Sequence, residues 1–126
     1  MKITISILTC VLAFLFTCCR KNDTGGDASI IIHTAHHESN VKGATVYVKF
    51  DAWEMPADIA ANYDLKVTAE QDGDHIHITG LRYGNYYLYA VGYDSTTSQN
   101  VYGGVPVTIA WKERNNEIEI HIPVTE

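Results

Sequence analysis

The chain has 126 residues, with 15 acidic against 9 basic side chains and a formal net charge of −6. A surface that acidic argues against nucleic acid as a partner, since phosphate backbones are held by clustered lysine and arginine. The three cysteines, Cys10, Cys18 and Cys19, all lie ahead of residue 20. The chain beyond Cys19 must fold without a disulfide, and it offers neither a thiol nucleophile nor zinc-spaced thiolates.

At the amino terminus, Lys2 precedes an uncharged run from Ile3 to Thr17. As a helix that run rises only about 22 Å, short of the roughly 30 Å hydrocarbon core, so it fits a secretory signal better than a membrane span. Leu15-Phe16-Thr17-Cys18 resembles the lipobox of bacterial lipoproteins, in which the cysteine becomes the lipid-modified first residue. Thr17 stands where that family prefers Gly, Ala or Ser. Cys19 is the rival lipidation site, and the leucine three residues upstream favours Cys18. The resemblance implies removal of residues 1–17 and anchorage by acyl chains, each buried methylene contributing about 0.8 kcal/mol. The expected location is the cell envelope, on the outer membrane of a Gram-negative bacterium, with the surface and periplasmic faces both open. Residues 18–28, with the polar run RKNDTGGDA and its Gly-Gly pair, read as a lipidated cysteine and flexible tether.

Residues 29–126 read as one all-β domain. Ser29 to Thr34 is the first expected strand. Ala44, Val46, Val48 and Phe50 then alternate with polar neighbours or Tyr47; so do Leu65, Val67 and Ala69, and after them Ile76 and Ile78. Further on come Tyr86, Leu88 and Ala90; Val105, Val107, Ile109 and Trp111; and Ile118, Ile120, Ile122 and Val124. A period of two puts one set on a core face and the other toward solvent. Asp72-Gly73, Gly84-Asn85 and Asn115-Asn116 mark turns, with Asp72-Gly73 expected to supply the positive φ of a tight hairpin. Trp53 to Asn62 is read as a long loop, with a helical turn after Pro56 as the alternative. Seven strands at this spacing predict a seven-stranded antiparallel two-sheet sandwich.

Two stretches resemble the prealbumin-like (transthyretin-like) and carboxypeptidase-regulatory-like domains. These are Val41-Lys42-Gly43-Ala44-Thr45-Val46-Tyr47-Val48, and the run from Ala69 through Asp72-Gly73 and Gly80-Leu81 to Gly84-Asn85-Tyr86-Tyr87-Leu88. The resemblance implies a sandwich used mostly as a structural or binding module. Gly80 and Gly84 would bracket a corner at which the chain changes sheets. Tyr86 would put its ring in the core and its hydroxyl on the corner's backbone.

With Tyr86, Leu88 and Ala90 inward, Tyr87, Tyr89 and Tyr93 share the opposite face and form a candidate ligand face, with Tyr47 and Tyr102 as neighbours. The same rings are also ordinary strand residues that stabilise sheets by cross-strand pairing. Histidine is the other concentrated feature. His33, His36 and His37 cluster in HTAHHES, while His75, His77 and His121 fall on expected outward faces. Imidazoles at i and i+2 on one face can share zinc, copper or nickel, or they can simply be solvated. Asp72 and Asp74 are better read as turn residues than as a calcium site.

No Gly-x-Ser-x-Gly elbow, phosphate-cradling glycine loop or His-Glu-x-x-His is present. Among enzymes of the transthyretin-like fold, the hydroxyisourate hydrolases end Tyr-Arg-Gly-Ser, whereas this chain reads Pro123-Val124-Thr125-Glu126. The expectation is therefore a protein that is not an enzyme, with no catalytic residues and no cofactor. It would be a lipid-anchored binding or assembly module for an envelope protein or glycan. The alternatives are an accessory subunit of a surface filament and a histidine-based transition-metal binder.

Overall fold

The computed structural model describes residues 24–56, 62–70 and 72–126. The signal segment 1–17, the lipidation candidates Cys18 and Cys19, and the centre of the stretch from Trp53 to Asn62 lie outside the described residues. No helix among the described residues is long and apolar enough to cross a membrane.

Strand β1, Thr24–His36, shows how alternation builds the domain. Ala28, Ile30, Ile32, Thr34 and His36 are buried, while the residues between them are only half-buried. β1 is central in the first sheet, sheet A. On one side it pairs antiparallel with β5 (His75–Leu81), through Ile30↔Ile78 and His33↔His75. On the other it pairs with β8 (Glu117–Pro123), from Ser29↔Glu117 to Ala35↔Pro123. The β1–β8 pair is parallel, which departs from the all-antiparallel expectation. The chain reaches β8 from the other sheet, so no hairpin forces the two strands to run in opposite directions.

The second sheet, sheet B, has the order β4-β3-β6-β7 and is antiparallel throughout. Its strands are β3 (Thr45–Phe50), β4 (Leu65–Thr68), β6 (Gly84–Asp94) and β7 (Gln99–Ile109). Between the sheets, Ile30, Ile32, Leu81 and Ile122 of sheet A meet Val46, Val48, Tyr86, Leu88, Val101 and Ile109 of sheet B. Each such side chain contributes about 1.5–3 kcal/mol by leaving water.

The protein is an all-β sandwich, and its details refine the seven-strand expectation. Eight strands are present among the described residues, because β2 (Ser39–Asn40) folds back onto the end of β1 after a turn with His37 at φ 55°. β1 also begins inside the expected tether. Gly25 takes φ 110°, and Gly26 lies so close to the Leu81 carbonyl that a Cβ there would overlap it, so the strand continues through a bulge. Trp111 is not in a strand but opens a short 3₁₀ turn, Trp111–Glu113.

The Asp72-Gly73 turn also differs from expectation. It joins β4 of sheet B to β5 of sheet A, so it closes no hairpin and needs no positive φ; Gly73 donates its N–H to the Glu70 carbonyl at 2.8 Å. The crossing from β5 to β6 runs as the sequence implies. Gly80 and Gly84 take φ 74° and 139° on either side of it, and the Tyr86 hydroxyl donates to the Arg82 carbonyl at 2.7 Å.

Candidate functional site

Strand parity divides the histidines. His33 is odd on β1 and faces out from sheet A, whereas His36 is even and points inward, so the cluster in HTAHHES is split between two faces. On the outer face, His33 stands opposite His75 of β5 and opposite His121 of β8. One row across three strands therefore reads His75–His33–His121, with His77 two residues along β5. The ring centroids are 5.9 Å apart for His33 and His75, 5.1 Å for the stacked His33 and His121, and 5.0 Å for His75 and His77.

Carboxylates organise this row. Oε1 of Glu119 lies 3.3 Å from Nε2 of His33 and 3.3 Å from Nε2 of His121, so two imidazoles converge on one oxygen. Asp74 holds Nδ1 of His75 at 2.7 Å, and that hydrogen bond keeps the Asp74 carboxyl below its ordinary range. Asp74 engages Nδ1 of His75, so Nε2 is the ring nitrogen left for a ligand. This is the carboxylate–imidazole relation that orients metal-binding histidines. Glu117 comes within 3.9 Å of His77. Two imidazoles face one carboxylate here, with a third imidazole beside them; zinc, nickel or copper(II) would have to draw in donor atoms that are less tightly gathered than the 4.8 Å group of His36, His37 and Glu126.

His36 has the opposite surroundings. Its side chain is 2 % exposed, and both ring nitrogens face carboxylates: Nδ1 to Asp94 at 2.7 Å and Nε2 to Glu126 at 2.8 Å. Both nitrogens then carry protons, and the ring is a cation. The bond to Asp94 is the main force raising the His36 pKa, burial opposes it, and Glu126 adds to the rise. Asp94 falls to about 2, chiefly through His36 and then through the Thr96 N–H that it accepts at 2.8 Å. Glu126 is lowered by the same ring. The His37 ring packs 4.2 Å from His36, and donor atoms of His36, His37 and Glu126 lie within 4.8 Å of one another. An ion there would have to displace the proton that Nε2 of His36 shares with Glu126, so this group is read as a clasp joining β1, β6 and the segment after β8. His36, His37 and Glu126 line a cleft of about 470 Å³ whose wall also includes His121 of the outer row.

The tyrosines lie on sheet B. Tyr89 is opposite Tyr47 and is buried even though it faces away from the core, because Tyr63 covers it, with ring centroids 5.6 Å from Tyr47 and 6.2 Å from Tyr89. Burial pushes the Tyr63 hydroxyl up to about 12 and raises that of Tyr89. Tyr87 is half-buried and lies across Gly104 of β7, where a Cβ would come within 2.6 Å of its hydroxyl oxygen. Tyr93 is exposed and borders an open cleft of about 780 Å³ beside Asn40, Lys42 and Asp72. Of the candidate ligand face, Tyr87 and Tyr89 are thus sheet packing, and Tyr93 stands apart.

Sequence reasoning missed Glu119, Asp94, Glu126 and Tyr63. Glu119 carried a signal, since it sits two residues before His121 on a strand already read as alternating. Comparison with protein-family models finds no match, and comparison with curated proteins finds none either.

Proposed function

We propose that this chain is a lipid-anchored, non-catalytic binding module of a bacterial cell envelope, and that the ligand of its sandwich is a late first-row transition-metal ion. The observation that carries this reading is the convergence of His33 and His121 on Glu119, with His75 beside them under the control of Asp74. A protein or glycan partner at the tyrosine face is less favoured, because Tyr63 covers Tyr89. The lipobox-like Leu15-Phe16-Thr17-Cys18 supports the anchor, and the corner bond from Tyr86 to Arg82 supports a prealbumin-type sandwich. At this site the protein supplies imidazole nitrogens and one carboxylate oxygen, all on strands that fix their spacing.

Calorimetric titration of the full-length protein with zinc, nickel and copper(II) tests the proposal. One ion per chain at about micromolar free metal is expected, with binding lost in His33→Ala and Glu119→Ala. His37→Ala, in the other histidine group, should leave it intact. No bound ion in any of the three titrations would sink the reading, and loss only in His37→Ala would move the site to the clasp.

A further inference from the structure

The two ends of the sandwich differ in what they expose. At one end lie the start of β1, the ends of β3, β5 and β7, and the starts of β6 and β8, as the pairings Thr24↔Leu81, Phe50↔Tyr86, Gly84↔Ile109 and Ser29↔Glu117 require. The six large hydrophobic side chains exposed among the described residues are Trp53, Met55, Tyr83, Tyr93, Tyr102 and Trp111. Four of them, Trp53, Met55, Tyr83 and Trp111, belong to the connections at this end. Trp53 and Trp111 are each 60 % exposed. The rings of Tyr83 and Trp111 meet edge to face at 4.7 Å, and the Arg114 guanidinium lies 4.1 Å over the Trp111 ring.

This is also the end from which the amino-terminal chain departs. Five residues lie between Cys18 and Thr24, and the six steps fully extended reach no further than about 22 Å. A membrane attachment at Cys18, or at the apolar run before it, therefore keeps these rings close to the bilayer. Tryptophan and tyrosine favour the headgroup region, where an apolar ring meets a polar edge, and methionine and arginine suit the same boundary. Lys112 and Arg114 are interspersed with Glu54 and Glu113, so apolar insertion, not attraction to anionic lipid, would supply the binding.

We infer that the Trp53–Met55–Tyr83–Trp111 end docks on the phospholipid interface of the membrane to which the chain is anchored, a reading that rests on the anchorage proposed for Cys18. Docking stands the strands upright on the bilayer, with the clasp and the β1–β2 turn at the far end.

The chain has only two tryptophans, and both lie at this end, so their intrinsic emission reports the contact directly. The experiment is flotation of the full-length protein on phosphatidylcholine vesicles, with and without bromine-labelled acyl chains, and then tryptophan fluorescence of the floated fraction. Flotation, a blue-shifted emission and a loss of about half the intensity to brominated lipid are expected, as is protection from iodide. Trp53→Phe and Trp111→Phe each leave one reporter, and both remaining tryptophans should be quenched. Protein that floats but keeps the emission of water-exposed indole, quenched by iodide and not by bromine, overturns the inference and leaves the anchor standing. Protein that does not float overturns both.

Discussion

His33 and His36 are three residues apart on one strand, and that odd spacing sends them to opposite faces of sheet A. His33 keeps a nitrogen directed at a carboxylate that it shares with His121. His36 has neither nitrogen free, since each is held by a carboxylate at the edge of the core. Residue type therefore decides little here. A half-buried histidine beside one exposed carboxylate can turn toward a ligand, whereas one enclosed by two carboxylates holds the chain together. The largest break in that comparison is His36→Ala. It leaves Asp94 buried without its cation, and the thermal midpoint should fall by about 10 °C. His33→Ala should move the midpoint by no more than about 2 °C. Similar losses from the two variants in a calorimetric scan would erase the distinction.

The pH dependence of stability sharpens it. The folded pKa of His36 is raised above its ordinary 6.5, so its contribution is full below 6.5 and is lost as pH rises through the raised value. Asp94 is lowered from 3.8 to about 2 and Glu126 is lowered from 4.5, so their contributions are full above those ordinary values and are lost as pH falls toward 2. Urea midpoints should accordingly peak between about pH 4.5 and 6.5 and decline on both sides. In His36→Gln the alkaline decline should disappear, while in His33→Ala the whole profile should persist.

Much of the fold could be read from the residues because burial follows the period of two. Val46 and Val48, Ile76 and Ile78, and Tyr86, Leu88 and Ala90 all face the core as their alternation requires. Parity was hidden where a run is apolar on both faces. Ile30, Ile31 and Ile32 do not reveal which face is inward, so the odd spacing of His33 and His36 could not say which of the two turns to the core. The site was less legible because its members are joined only by register. The row His75–His33–His121 depends on a parallel β1–β8 pairing that local sequence does not encode. Tyr63 lay in a stretch without periodicity, so nothing announced that it would cover Tyr89.

On the outer face the comparison is tested through an orienting group instead of a ligand. Asp74→Asn keeps the size of the side chain and weakens its hold on Nδ1 of His75, which lets the ring turn. Metal affinity should fall about tenfold with no measurable change in unfolding. An unchanged titration would show that His75 takes no part, and would reduce the site to His33, His121 and Glu119.

The smallest effect separates the two carboxylates of the clasp. The Asp94 side chain is 10 % exposed and also accepts the Thr96 N–H, whereas that of Glu126 is 55 % exposed. Removing charge from Glu126 leaves Nε2–H of His36 facing a position that water can reach, so a new hydrogen bond replaces the lost one. Removing it from Asp94 leaves one acceptor oxygen where Nδ1–H and the Thr96 N–H each had their own, so one of them meets an amide N–H₂ in a place that water does not reach. Glu126→Gln should therefore lower the thermal midpoint by only about 1–2 °C, and Asp94→Asn by several times more. Equal losses would mean that the clasp works through its total charge. The predicted inequality would mean that it works through burial, the property that also sets His36 apart from His33.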